Sequence, residues 1–256
     1  MKNRFAFLYP FCFFIFILVL LQSMDLAGIL NASLIPSPQR MLWALTENWS
    51  DQIFPALLET SLHALMGLIL SFILGTLIAS LLSLSRVARE TLLPFAIFLQ
   101  TVPIVAIAPL LVIYFGFGSS TIIAAATFVS LFPILAGTLV GLSSVSTEQR
   151  DLFRLLKASR LKTLIYLQIP AAYPSVMLGL KNAAGLSVIG VVSGEFVAGS
   201  GLGSLIDSAR TQQKIDLVFI ALILLALVGL SFSFFIQFMH FAIHRQRPFA
   251  RDLDLG

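Results

Sequence analysis

Hydrophobic positions run along this chain in long unbroken stretches, with the polar residues collected between them. A membrane-crossing helix needs about 20 mostly apolar residues. Six stretches come near that length or exceed it: about 5–22, 60–84, 91–115, 119–142, 175–196 and 217–242. The first follows Lys2 and Arg4. Its apolar run is longer than a signal-peptide core and no small-x-small pattern follows at Gln22-Ser23-Met24-Asp25, so it reads as an uncleaved span. Beyond it, Ser37-Pro38 is a helix start, and Met41, Leu42, Leu45 and Trp49 fall on one face of a short helix at the membrane surface. Gly116-Phe117-Gly118-Ser119 leaves room only for a tight helical hairpin. Residues 143–174 form a charged segment and residues 197–216 a Gly-rich loop. The expected fold is all-α membrane with about six transmembrane helices. It divides into a first anchor (1–30), a periplasmic linker carrying the interfacial helix (31–58), a transmembrane core enclosing the charged segment (59–243) and a tail (244–256).

Composition agrees with this pattern. Hydrophobic residues make up 58% and charged residues 11%, against about 25% charged in a soluble domain, and mean hydropathy is +0.98. That excludes an ordinary cytosolic enzyme, a disordered tail and a nucleic-acid binder. The basic residues then orient the chain. Of 16 Lys and Arg, 13 fall on one face of the six-span pattern, and Arg40, Arg210 and Lys214 fall on the other. By the positive-inside rule both termini and segment 143–174 are cytoplasmic, in a multi-pass inner-membrane protein. The high pI of about 9.5 therefore reflects topology. One cysteine, Cys12, excludes a disulfide framework.

The chain lacks the residues of ATP hydrolysis and of metal or nucleophilic catalysis. There is no Walker A pattern, no H-E-x-x-H, and His63, His240 and His244 lack metal-ligand spacing. No catalytic residue, metal or cofactor is expected; if the chain serves energised transport, the energy enters through a partner. Small residues recur every fourth position at Gly67, Ser71, Gly75, Ala79 and Ser83, and again at Gly179, Ala183 and Ser187 with Gly190 and Gly194. Such ridges let helices approach closely, either within the chain or against a second subunit along a pathway. Pro94, Pro103, Pro109 and Pro133 would kink their helices. Glu195, near the outer end of the fifth span, is a pathway or gate candidate or else a helix-end or ion-pair residue. The spans carry no string of acids for a proton relay and no internal repeat. That disfavours a secondary ion-coupled carrier, while a non-transporting membrane scaffold is a third reading.

Segment 143–174 is the most informative stretch. Ser146-Thr147-Glu148-Gln149 fits a capping box. Leu152, Leu155 and Leu156 then face one side, and Arg150, Asp151, Arg154 and Lys157 the other. Ala158-Ser159 breaks this helix, Leu161, Leu164 and Ile165 begin a second amphipathic turn, and Ile169-Pro170 to Pro174 stops it before the next span. The segment is either a loop on the bilayer or a rigid element offering leucines to a groove on a partner.

Asp151-Leu-Phe-Arg-Leu-Leu-Lys157-Ala-Ser, continuing to Ile169-Pro170-Ala-Ala, resembles the EAA loop of binding-protein-dependent ABC importer permeases, approximately E-A-A-x-x-x-G-x(9)-I-x-L-P. Asp151 stands at the Glu, Leu152 and Phe153 at the two Ala, and Lys157 at the Gly. Further motifs stand in the order seen in the nitrate, sulfonate, taurine and thiamine-precursor branch. They are Ile35-Pro36-Ser37-Pro38, Gln100-Thr101-Val102-Pro103, Phe115-Gly116-Phe117-Gly118, Gly179-Leu180-Lys181, Gly194-Glu195-Phe196 and Gly201-Leu202-Gly203. The resemblance covers about residues 34–245 and implies a MetI-like permease working by alternating access. Its implied partners are a second permease copy (a homodimer), a cytoplasmic ABC ATPase and a periplasmic or lipid-anchored substrate-binding protein, in a lipid bilayer. The ATPase-coupling residues it implies are Asp151, Leu152, Leu155, Leu156, Lys157, Ala158 and Ser159.

Overall fold

A computed structural model describes residues 8–29 and 34–245, and every regular element among them is helical. Residues 1–7, with Lys2 and Arg4, residues 30–33 and the tail 246–256 lie outside the described residues. The order is α1 (Leu8–Leu26), α2 (Pro38–Asn48), a π turn (Trp49–Ile53), α3 (Phe54–Leu84), α4 (Arg86–Thr101), α5 (Ile104–Phe115) and α6 (Ser119–Ser143). It continues with α7 (Thr147–Leu155), α8 (Arg160–Thr163), a second π turn (Leu164–Gln168), α9 (Ile169–Ala198), α10 (Gly201–Thr211) and α11 (Ile215–Arg245).

Four described helical tracks are long and apolar enough to cross a membrane: Pro38–Leu84, Ser119–Ser143, Arg160–Ala198 and Ile215–Ala242. A fifth arises if α4 and α5 together count as one span; within α1, Ile15–Leu26 is a shorter apolar stretch. These helices have little amphipathic bias. Along α11, Leu222, Ile223, Leu227, Leu230, Phe234, Phe235 and Phe238 are exposed. A helix apolar on the side that does not face protein suits lipid.

α6 is the central post, flanked by α3 and α9. Both small-residue ridges close on it. A Cβ on Gly67 would overlap that of Ala126, one on Gly190 would sit 2.6 Å from Ala126 Cα, and one on Gly194 2.8 Å from Ile122 Cα. The hydroxyls of Ser71 and Ser130 meet 3.0 Å apart across the α3–α6 seam. Small residues drive this association because lipid offers no hydrophobic gain on pairing, and close backbone approach is what remains.

In three places the structure departs from the sequence reading. The third span is not one kinked helix: α4 and α5 meet at 103° across Val102-Pro103. Val102 is extended (φ −75°, ψ 123°), as the residue before a proline prefers to be, and Pro103 has no N–H to continue the ladder. Pro94 and Pro109, by contrast, lie inside their helices. The fifth span does not begin after Pro174. Pro170 occupies the first turn of α9, where its missing N–H breaks no bond, and the helix runs on through Pro174. The stretch 197–216 is not all loop, because it contains α10.

The helix expected after Ser37-Pro38 is present as α2, with Ser37 at its N-cap position and Pro38 in its first turn, but Trp49 falls in the π turn beyond it and does not share its face with Met41 and Leu45. Its Ala44 is buried, and Met41 and Leu45 pack on the main core, while Leu42 and Trp43 are exposed. The hairpin between α5 and α6 turns on Gly116 (φ 77°) and Gly118 (φ 102°).

Candidate functional site

Two places hold the sequence-predicted site residues. The first is the arch between α6 and α9. The Ser146 hydroxyl accepts from the Gln149 N–H and the Gln149 side chain accepts from the Ser146 N–H, each at 3.3 Å, so the capping box is complete. Glu148 sits in the first turn. Hydrogen bonding to its own backbone amide, then to Ser146 and Thr147, holds its carboxyl below the usual carboxylate range. Asp151 pairs with Arg154 at 3.0 Å on the exposed side.

α7 ends in a complete Schellman motif. The Ala158 N–H donates to Phe153 O at 3.0 Å and the Lys157 N–H to Arg154 O at 2.9 Å. This geometry puts Lys157 in the left-handed region at φ 52°, a conformation that glycine adopts without strain. The Ser159 hydroxyl then accepts from the Lys162 N–H and starts α8. Both ends of α7 are therefore fixed by short-range bonds.

No residue of α7 is buried. Leu152, Leu155 and the following Leu156 are 55%, 81% and 69% exposed. The arch is anchored at its feet: Leu142 at the end of α6, Leu164 in the π turn and Ala172 in α9 form one buried cluster. The result is a stiff projecting helix with an uncovered leucine face.

The second place is the buried cluster around Glu195. α9 ends at Gly199 (φ 82°), and Gly201 (φ 67°) starts α10 almost at once. This reversal lays the first turn of α10 over Glu195, which is fully buried. Its carboxylate accepts from the Gly203 N–H at 2.8 Å and from the Thr60 hydroxyl at 2.7 Å. Thr60 in turn accepts from the Leu202 N–H at 2.9 Å, and Glu59 accepts from the Gly201 N–H at 3.1 Å. Three N–H groups that a helix start leaves open are thus all satisfied, and a negative group faces the positive end of the helix dipole. His63 Nδ1 lies 3.9 Å from the carboxylate, buried and without a hydrogen bond.

Glu195 does not line the apolar cavity of about 520 Å³ bounded by Val105, Val188, Val192, Phe196, Leu225 and Leu230. Its contacts are those of an anchor joining α3, α9 and α10, which is the helix-end alternative read from the sequence. Thr60, Leu202 and Gly203 were not picked out by sequence reasoning for this cluster. The missed signal was the spacing of Leu202, Leu205, Ile206 and Ala209 after Ser200-Gly201, which marks one apolar helix face.

Comparison with known proteins matches residues 67–246 to the family described as binding-protein-dependent transport system inner membrane component. A protein of Haemophilus influenzae named "Probable ABC transporter permease protein" is 34% identical over 230 residues, 90% of this chain and 92% of that one. The formylaminopyrimidine transport permease protein ThiX of Halalkalibacterium halodurans is 30% identical over 233 residues, again 90% and 92% of the two chains. The nitrate import permease protein NrtB of a Synechocystis strain is 30% identical over 189 residues, 73% of this chain and 67% of that one.

Proposed function

The chain belongs to the family of inner-membrane components of binding-protein-dependent transport systems, and from that membership we propose how it is coupled. It is the multi-pass permease subunit of an ABC-type importer in a bacterial inner membrane, and it works with an ATPase and a substrate-binding protein. In our reading α7 seats in a surface groove of the cytoplasmic ATPase, where ATP is hydrolysed. Two permease copies enclose the pathway, and the binding protein delivers solute at the α10 side. Both termini are cytoplasmic. Asp151, Leu152, Leu155, Leu156, Lys157, Ala158 and Ser159 form the coupling segment, with Lys157 shaping its end rather than making the contact. Glu195 holds the outer ends of α3, α9 and α10 together as one body.

The observation that carries this reading is the uncovered leucine face of α7. A nine-residue helix with no buried side chain gains nothing from its own chain by presenting leucines. Burying one such leucine in a partner groove is worth about 1.5–3 kcal/mol. Closure of two ATPase subunits would carry the helix with them and turn the dimer between its two orientations, a rigid-body change.

The test is Leu156→Asp in the membrane-inserted chain with its cognate ATPase. Membrane level should be unchanged while ATPase co-purification and solute uptake are lost. Normal co-purification of the ATPase with the variant would overturn the docking role. The printed names of the relatives span different cargoes, formylaminopyrimidine and nitrate among them, so the substrate reading is a small solute.

A further inference from the structure

The 103° break between α4 and α5 lies where a membrane helix should least tolerate one. A cavity of about 300 Å³ sits at the break, bounded by Gln100, Thr101, Pro103, Phe128, Phe132 and Leu186. Phe128 and Phe132 straddle the centre of α6, a 25-residue helix, about 18 Å from either end at 1.5 Å per residue. Leu186 lies close to the middle of the 30-residue α9. The break is therefore at mid-height of the helices that cross beside it.

The polar groups there are unusual for that depth. Gln100 is exposed and makes no hydrogen bond among the described residues. The Thr101 hydroxyl donates to Phe98 O at 2.7 Å and keeps its accepting side open. Val102 N–H reaches Leu99 O and Ala106 N–H reaches Pro103 O, so the ladder across Gln100–Ile104 is interrupted. Asn182, one helical turn before Leu186 on the same stripe of α9, is a second exposed amide that makes no hydrogen bond among the described residues. Unpaired amides and broken backbone do not face hydrocarbon; they face water, ligand or protein.

Resting on the permease reading above, we propose that Gln100, Thr101 and the interrupted backbone beside them form the solute-contacting collar of the pathway at mid-membrane. The amide, the hydroxyl and the free backbone groups supply hydrogen bonds, and Phe128 and Phe132 supply a flat apolar wall. No charged side chain lines the cavity, so the solute it takes is small, uncharged and hydrogen-bonding, with a planar face.

The chain has a single cysteine, Cys12, so Cys12→Ser gives a clean background. In that background Gln100→Cys, Thr101→Cys and Asn182→Cys are compared with Leu230→Cys on the exposed side of α11. The assembled transporter, in membranes, is treated with anionic and cationic membrane-impermeant methanethiosulfonate reagents. Modification at positions 100, 101 and 182 is expected at least tenfold faster than at 230, by both reagents within about tenfold of each other, and altered by ATP with vanadate. Rates equal to that at 230 would place the break against lipid and overturn the proposal. So would protection from both reagents with spontaneous cross-linking of Gln100→Cys to a second copy. A preference above 100-fold for one charge would overturn the uncharged solute class. ATPase co-purification with the same preparations separates these outcomes from failure of the permease reading itself.

Discussion

Lys157 offers a prediction whose sign is set by one backbone angle. Its φ of 52° is held by the paired bonds from Ala158 to Phe153 and from Lys157 to Arg154. An L-residue with a Cβ loses roughly 1–2 kcal/mol in this conformation. Glycine avoids that loss but gives up about 0.5–1 kcal/mol of extra chain freedom on ordering. Lys157→Gly should therefore tighten the end of α7 by about 0.5–1 kcal/mol, a two- to fivefold shift at 1.4 kcal/mol per tenfold. The side chain is exposed, so its removal takes away little packing. Hydrogen exchange followed by mass spectrometry on the intact chain reads this directly: amides over 150–158 should slow two- to fivefold, with the spans unchanged. Lys157→Val, β-branched and ill-suited to positive φ, should speed the same amides. If Lys157→Gly left exchange unchanged or faster, the lysine side chain and not the turn geometry would be stabilising the arch.

Three further outcomes follow from the two sites. Glu195→Gln leaves one of two buried donors, the Gly203 N–H or the Thr60 hydroxyl, facing an amide NH₂. A lost buried bond of this kind costs about 1–3 kcal/mol, so the thermal midpoint of the purified chain should fall; an unchanged midpoint would contradict the anchoring role. Gly201→Ala should be more damaging than Gly199→Ala. Both have positive φ, but a Cβ on Gly201 overlaps the Glu195 carboxylate and lies 2.6 Å from Thr60 Oγ1, whereas one on Gly199 meets nothing within 4 Å; equal losses in thermal midpoint would refute the crowding argument. Hydrogen bonds to its own amide and to Ser146 and Thr147 hold the Glu148 carboxyl below its ordinary value of 4.5. Its contribution to α7 is whole above that value and is lost as pH falls through the depressed one, so protection over 147–155, corrected for the pH dependence of intrinsic exchange, should fall in acid in the parent chain and less so in Glu148→Gln; equal falls in both would refute the role of the carboxylate.

What was legible in the sequence was local. The capping box at Ser146, the short turn at Gly116–Gly118 and the helix start at Ser37-Pro38 are each decided within four residues, and each stands in the structure. The apolar runs gave the spans because period and length need no partner. What was not legible depends on distant groups. α10 needs Glu195 and Thr60 to close its first turn, and Thr60 lies 142 residues from Leu202 in the chain. Among the described residues Pro94, Pro109 and Pro133 lie inside their helices, whereas the chain breaks at Pro103, where Val102 turns extended. Ile169-Pro170 reads in the sequence as a stop, yet Pro170 falls in the first turn of α9, directly after a π turn whose Leu164 is buried with Leu142 and Ala172.

These contacts define how a displacement of α7 must travel. Its two feet meet in the Leu142–Leu164–Ala172 cluster, so α7 cannot shift without loading the ends of α6 and α9 together. Those two helices are locked by backbone contact: a Cβ on Gly137 would sit 2.7 Å from Ser175 O, one on Gly141 2.8 Å from Ala172, and one on Gly179 2.6 Å from Pro133 O. Sliding one past the other would drive small residues into backbone, which close-packed interiors resist. They therefore move as a pair. α9 is continuous for 30 residues, about 45 Å at helical rise, and its far end carries Glu195, bonded to α3 through Thr60 and to α10 through Gly203. The i→i−4 ladder is interrupted at the π turns at Trp49–Ile53 and Leu164–Gln168 and at the break at Val102-Pro103. A force applied at α7 thus reaches the opposite end of the molecule through α6 and α9 as one rod.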